Sequence, residues 1–155
     1  MSRPKRASKP DGALRLGEFL CFAIYSANHA FNRVYKPQLD ELGLTYPQYL
    51  AMVLLWEEDD QTVGSLGEKL FLESSTLTPV FKRLEALGHV KRTRDPVDER
   101  QVRVRLTERG RALRGKARKI PGCILEASNL KLDELLRLQN EIVALRSALE
   151  RYARE

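Results

Sequence analysis

TVGSLGEKLFLESSTLTPVFKRLEALGHVKRTRDPVDERQVRVRLTERG, residues 62–110, contains every element needed to name the architecture. Thr62 is an N-cap for a short helix over residues 63–71, with Leu66, Leu70 and Phe71 turned inward. A turn at Leu72-Glu73 leads to a second helix, starting at Ser74 or Ser75 and ended by Gly88. Pro79 lies inside its first turn or stands at N1 after a Thr78 cap; the spacing leaves both open. HVKRTR, the turn DPVDER and QVRVRL follow, and Val102, Val104 and Leu106 alternate with Arg103 and Arg105 as in a half-buried strand. Thr107 caps a further helix to about residue 119, where Pro121-Gly122 breaks it. Two short helices, a tight turn and a basic hairpin make a winged helix-turn-helix: mostly α, with a small two-stranded wing.

Charge agrees with that reading. Residues 79–120 hold fourteen bases against five acids, while residues 39–74 hold eight acids against Lys69 alone. The chain's net +6 is therefore concentrated where a phosphate-binding surface is expected. Ser74, Ser75, Thr76 and Thr78 put short hydroxyl side chains at the start of the second helix, one turn before Lys82 and Arg83. The hairpin tip carries Arg94 and Arg100, and an arginine there suits a narrow minor groove. Arg103 and Arg105 fit phosphate contact and a solvated strand face equally well. Double-stranded DNA is the expected partner.

Residues 14–45 and 120–155 flank this domain, assigned to 46–119, and residues 1–13, MSRPKRASKPDGA, read as a flexible basic arm. Apolar residues from Leu16 to Val34 recur every three or four positions, predicting a helix over residues 14–35 that Pro37 interrupts or kinks. Tyr46-Pro47 opens another helix. Near the C-terminus Leu135, Leu138, Ile142, Leu145, Leu149 and Tyr152 form a seam resembling a coiled coil. Both terminal helices are assigned to a homodimer interface. At 155 residues the chain can bury a core without staples. The basic N-terminus lacks an apolar signal region, and no apolar run reaches bilayer length, so a cytoplasmic protein without a membrane partner is expected. His29 and His89 form no ligand cluster with the cysteines, and no phosphate loop or catalytic triad is seen. No cofactor or metal is expected, and no enzymatic activity.

Cys21 and Cys123 are the two cysteines, too far apart in sequence for a zinc quartet or a thioredoxin pair. Among apolar neighbours Cys21 would ordinarily be inert, but Tyr25 lies one helical turn away, and Tyr35 and Tyr46 flank Pro37. Phenolic hydroxyls are neutral donors that stabilise a thiolate and give a peroxide something to bind. On a continuous helix Tyr35 lies about 21 Å from Cys21, so the two meet only across an antiparallel pair of helices from two chains.

STLTPVFKRLEALG and DPVDERQVRVRLTERG resemble the MarR family of dimeric bacterial repressors, over roughly residues 14–153. The resemblance implies a second helix lying in the major groove, Arg100 reaching the minor groove, and Asp98 orienting Arg100 by an ion pair. LCFAIYSANHAFNRVYKPQLDELGLTYPQYLAMVLLWE is similar to the organic-hydroperoxide-sensing branch of that family. It implies that Cys21 is oxidised to a sulfenic acid beside Tyr25 and the partner's equivalents of Tyr35 and Tyr46. Cys123, in KIPGCILEAS, matches the resolving cysteine of the two-Cys form, which makes an intersubunit disulfide. The expected function is a repressor that releases its operator on organic hydroperoxide. The rival is a repressor of the same fold released by a small aromatic ligand, its cysteines inert.

Overall fold

A computed structural model describes residues 14–155; the arm expected over residues 1–13 lies outside the described residues. A single 3-10 turn, Leu16–Glu18, precedes α1 (Leu20–Leu42), so the first helix starts later than its apolar pattern suggests. It also runs further. Pro37 sits inside α1, lacking one N–H, while burial of Leu39 and Leu42 in the core and a Lys36–Asp40 ion pair of 2.9 Å hold the helix together beyond it. Gly43, at φ 67°, ends α1 in the left-handed region.

Thr45 and Gln48 form a reciprocal capping box that starts α2 (Tyr46–Glu57), with Pro47 in its first turn. Ala51, Met52 and Leu55 take α2 through the centre of the protein. At its end Asp59 and Asp60 turn the chain sharply, Asp60 at φ 58°, and β1 (Gln61–Thr62) follows. The wing sheet therefore has three antiparallel strands where two were expected, in the order β1-β3-β2. Gln61 stands opposite Val104, and Val90 opposite Leu106, across β2 (Val90–Arg94) and β3 (Val102–Leu106).

Thr62 caps α3 (Val63–Leu70) through Ser65 N, 3.1 Å. Leu66 is fully buried as expected, but Phe71 is not turned inward. It takes φ 57° in the turn and lies half exposed, with the Arg146 guanidinium 4.0 Å above its ring. α4 (Ser74–Ala86) follows Glu73, whose side chain makes no capping bond, and keeps Pro79 well inside it, beyond the first turn. Leu77, Phe81 and Leu84 fasten one face of α4 to the core, which leaves the opposite face to solvent.

Thr107 starts α5 (Glu108–Ala117) by accepting from Gly110 N at 3.0 Å and donating to Gly88 O at 2.6 Å. Pro121-Gly122 does not break a helix. The break falls at residues 118–119, and Pro121 occupies the first turn of α6 (Ile120–Ser128), where a missing N–H costs nothing. α6 packs on α1. The last helix, α7 (Leu132–Ala153), buries no residue, and Leu138, Ile142, Leu149 and Tyr152 of its seam stay exposed.

Candidate nucleic-acid interface and thiol site

The exposed face of α4 carries Ser74, Ser75, Thr76, Thr78, Lys82 and Arg83 together, all open to solvent. Thr78 Oγ1 donates to Ser74 O at 2.8 Å, so that hydroxyl is bonded within the helix, whereas the hydroxyls of Ser75 and Thr76 stand on its exposed first turn. A groove of about 500 Å³ separates this helix from the wing, lined by Ser65, Ser74, Thr78, Arg92 and Arg100 among others. Arg100 is 90% exposed, and Asp98 accepts from its Nε at 3.0 Å and from a terminal nitrogen at 3.3 Å. Arg94, also exposed, donates to Glu99 O at 3.3 Å across the tip.

Arg103 does not belong with these. Its guanidinium bonds Asp60 and Asp95, each at 2.8 Å, so it is consumed within the protein instead of facing a phosphate. The sequence favours neither acid as its partner, since Asp60 lies 43 residues away. Arg103, then the backbone N–H groups of Asp98 and Val97, hold the Asp95 carboxyl down at about 2 against an ordinary 3.8. With the folded value depressed, the stability it adds is complete above the ordinary value and is lost as pH falls through about 2. Asp95→Asn should flatten the acid limb of the stability curve between pH 3.8 and about 2, read by urea unfolding at stepped pH. An unchanged limb would show that Arg103 does not grip this carboxylate.

The thiol site is divided along α1. At one end Cys21 is exposed, and the Tyr25 ring one turn on packs edge-to-face on His29, centroids 4.5 Å apart. At the other end Tyr35 meets Tyr46 and Tyr49 of α2, with centroids 5.1 and 6.1 Å away. Tyr49 is not among the tyrosines singled out from the sequence, although TYPQYL places it at i+3 from Tyr46 on one helix face. Burial first, then Tyr46, Tyr49 and Cys123, push Tyr35 up to about 12 from 10.0. The phenol is thus a neutral donor throughout the physiological range.

Cys123 is half-buried on α6 within the electrostatic reach of Tyr35, its Sγ 3.6 Å from Lys119 O. One chain thus gathers Tyr35, Tyr46 and Tyr49, carries Cys123 on the α6 helix packed against α1, and leaves Cys21 and Tyr25 apart from the three rings. Between the two ends, Ala27, Ala30, Phe31 and Val34 of α1 and Ile124 and Ala127 of α6 line an open apolar groove of about 240 Å³.

A hydroxyl-bearing helix beside a basic hairpin, on a scaffold whose long last helix leaves its apolar seam open, defines a winged-helix DNA-binding transcriptional regulator of the MarR type. The family model described as transcriptional regulator SarA/Rot matches residues 33–116, and the chain belongs to that family. It is 47% identical over 139 residues to the HTH-type transcriptional regulator TtmR of Methylorubrum extorquens (90% of this chain, 71% of that one). It is 44% identical over 136 residues to the organic hydroperoxide resistance transcriptional regulator of Bacillus subtilis (88% and 92%). The crystal structure of AbfR of Staphylococcus epidermidis superposes with a TM-score of 0.73 at 38% identity, covering 88% of this chain and 95% of that one. AbfR has also been solved reduced and bound to DNA (TM-score 0.66, 38% identity, 83% and 96%) and in a disulfide form (TM-score 0.60, 35% identity, 91% and 94%). Family and relatives are transcriptional regulators, not enzymes. Among the described residues no helix is long and apolar enough to cross a membrane.

Proposed function

We propose that the protein is a homodimeric repressor that holds operator DNA while Cys21 is reduced and releases it when an organic hydroperoxide oxidises that sulfur. The observation that carries this reading is the division of the thiol site: Cys21 is exposed at one end of α1, and Tyr35, Tyr46 and Tyr49 are gathered at the other, with Cys123 on the α6 helix packed against α1. Two copies of α1 crossing antiparallel about a twofold axis near Asn28 bring each Cys21 to the other chain's phenols and Cys123. Residues 14–45 and 120–155 supply that interface, covering the groove of Ala27, Phe31 and Ile124 and the open seam of α7. Residues 46–119 meet the DNA, α4 in the major groove and Arg100 in the minor groove.

The Cys21 thiolate attacks the distal peroxide oxygen. The O–O bond breaks, the alkoxide leaves as an alcohol once protonated by a neighbouring phenol or water, and Cys21 becomes a sulfenic acid. Cys123 of the other chain then attacks the Cys21 sulfur, releasing water and forming an intersubunit disulfide. Its Cα atoms must close to within about 7 Å, which draws α6 of one chain towards α1 of the other and swings the DNA-reading heads out of register with successive grooves. A thiol reductant reverses the step. The organic hydroperoxide relative and the reduced, DNA-bound and disulfide forms of AbfR support this reading.

A duplex enriched by the reduced protein from a random-sequence pool serves as the operator. Cumene hydroperoxide should release it, with a crosslinked dimer on a non-reducing gel, and dithiothreitol should undo both. Cys123→Ser should give no crosslink. A wild-type complex that survives the peroxide but dissociates with a phenolic ligand would replace this mechanism with the rival one.

A further inference from the structure

Arg103 on β3 makes three bonds at once. Nε donates to Asp60 Oδ1 at 2.8 Å, one terminal nitrogen to Asp60 O at 2.8 Å, and the other to Asp95 Oδ2 at 2.8 Å. The second oxygen of Asp95 accepts from Val97 N at 2.7 Å and Asp98 N at 3.0 Å. The carboxylate that grips Arg103 therefore also shapes the turn carrying Asp98 and Arg100. Asp60 stands on the other side, at the end of α2, and takes Arg105 Nε at 3.0 Å as well. Next to it Asp59 accepts from Leu106 N at 2.8 Å and from Arg111 at 3.2 Å.

The wing needs such support. Its two long strands have five residues each and the third has two, and a hairpin of that size is marginal alone. Glu85 ties Arg92, at the middle of β2, to α4 at 3.1 Å, but that pair does not reach the turn, whereas Arg103 reaches it through Asp95. Arg100 is almost wholly exposed and pairs only within its own turn. We infer that Asp60, Arg103 and Asp95 form a positioning clasp that sets the angle at which Arg100 meets DNA, without touching the DNA themselves. The inference rests on the reading that Arg100 contacts DNA.

The clasp has a signature opposite in sign to simple electrostatics. Removing a carboxylate near a phosphate-binding face should strengthen DNA binding by Coulomb's law. If Asp60 acts through Arg100, removing its charge weakens binding instead. Asp60→Asn suits the test because asparagine tolerates the left-handed backbone held there. Arg103→Lys preserves net charge but not the planar fork.

Binding of each full-length variant to the enriched duplex is measured by fluorescence anisotropy against salt, with and without Arg100→Ala. Asp60→Asn and Arg103→Lys should each weaken binding about ten-fold and flatten the salt slope by about one ion per chain. On the Arg100→Ala background each should cost less than about two-fold, because the contact they aim is already gone. Equal losses on both backgrounds, or binding as tight as wild type, would overturn the clasp alone. Wild-type binding by Arg100→Ala would overturn the wing contact and the clasp with it. Should Asp60→Asn fail to fold, Arg103→Lys decides the matter by the same criteria; failure of both to fold makes the network a folding element and ends the inference.

Discussion

Cys21→Ser protein is expected to keep its DNA through a dose of cumene hydroperoxide that strips the wild type. Serine preserves the size and exposure of the side chain at the end of α1, so the fold and the reduced-state affinity should stay within about two-fold of wild type. What it removes is the nucleophile, since a hydroxyl is not ionised near neutral pH and does not cleave an O–O bond. The wild type should lose DNA affinity by a factor on the order of 100 on oxidation, the upper range of couplings between two sites on one protein. Anisotropy titrations of both proteins, before and after peroxide, separate the outcomes. Release of Cys21→Ser with the wild-type dose response would end the redox proposal and leave the winged-helix fold untouched.

Gly110→Ala should be the most damaging single substitution for folding. Gly110 lies in the first turn of α5, directly on the turn between α4 and β2, and a methyl group there would run into the carbonyl of His89. That obstacle is backbone and cannot rotate aside. His89 O is itself engaged by Thr107 N at 3.0 Å, so a shift breaks the hydrogen bond that seats α5. Gly110 O in turn accepts from Trp56 Nε1 at 2.9 Å, joining α2 to α5. A cost of about 3 kcal/mol or more is expected, a melting temperature lower by roughly 6–12 °C. Gly115, five residues along the same helix, has open space around it. Gly115→Ala should gain about 0.5–1 kcal/mol. Opposite signs from two glycines of one helix are read in paired thermal melts, and equal melting temperatures would refute the packing argument.

The recognition unit was legible because local rules specify it. Thr62 and Thr107 are the caps they promise to be, Gly88 closes α4 at φ 81°, and Val104 and Leu106 point into the core by strand alternation. What escaped the sequence is non-local. Gln61–Thr62 looks like the end of a polar loop and becomes a strand only because Asp59 and Asp60 hold it against β3. Pro37 is a helix breaker by propensity, yet Leu39 and Leu42 beyond it are needed in the core, and tertiary burial outweighs one missing hydrogen bond. Arg103 alternates with the valines like any outward strand residue, and of its two acids Asp95 comes from the hairpin's own turn but Asp60 from 43 residues away. Tyr49 could have been found from its i+3 spacing to Tyr46, since α2 points both rings at Tyr35.

On the proposed mechanism, Cys21 at one end of α1 and the Tyr35 cluster at the other give the chain a built-in quorum. A solitary copy owns all the parts of the detector and cannot assemble them, because no bend of α1 folds one end onto the other. Sensitivity to oxidant is then tied to how much protein is present: diluted below the point where copies pair, the regulator grows deaf to peroxide as it loses its hold on paired half-sites. Any substitution that loosens the pairing of α1 or α7 should blunt both properties together, even when it lies far from sulfur and from DNA.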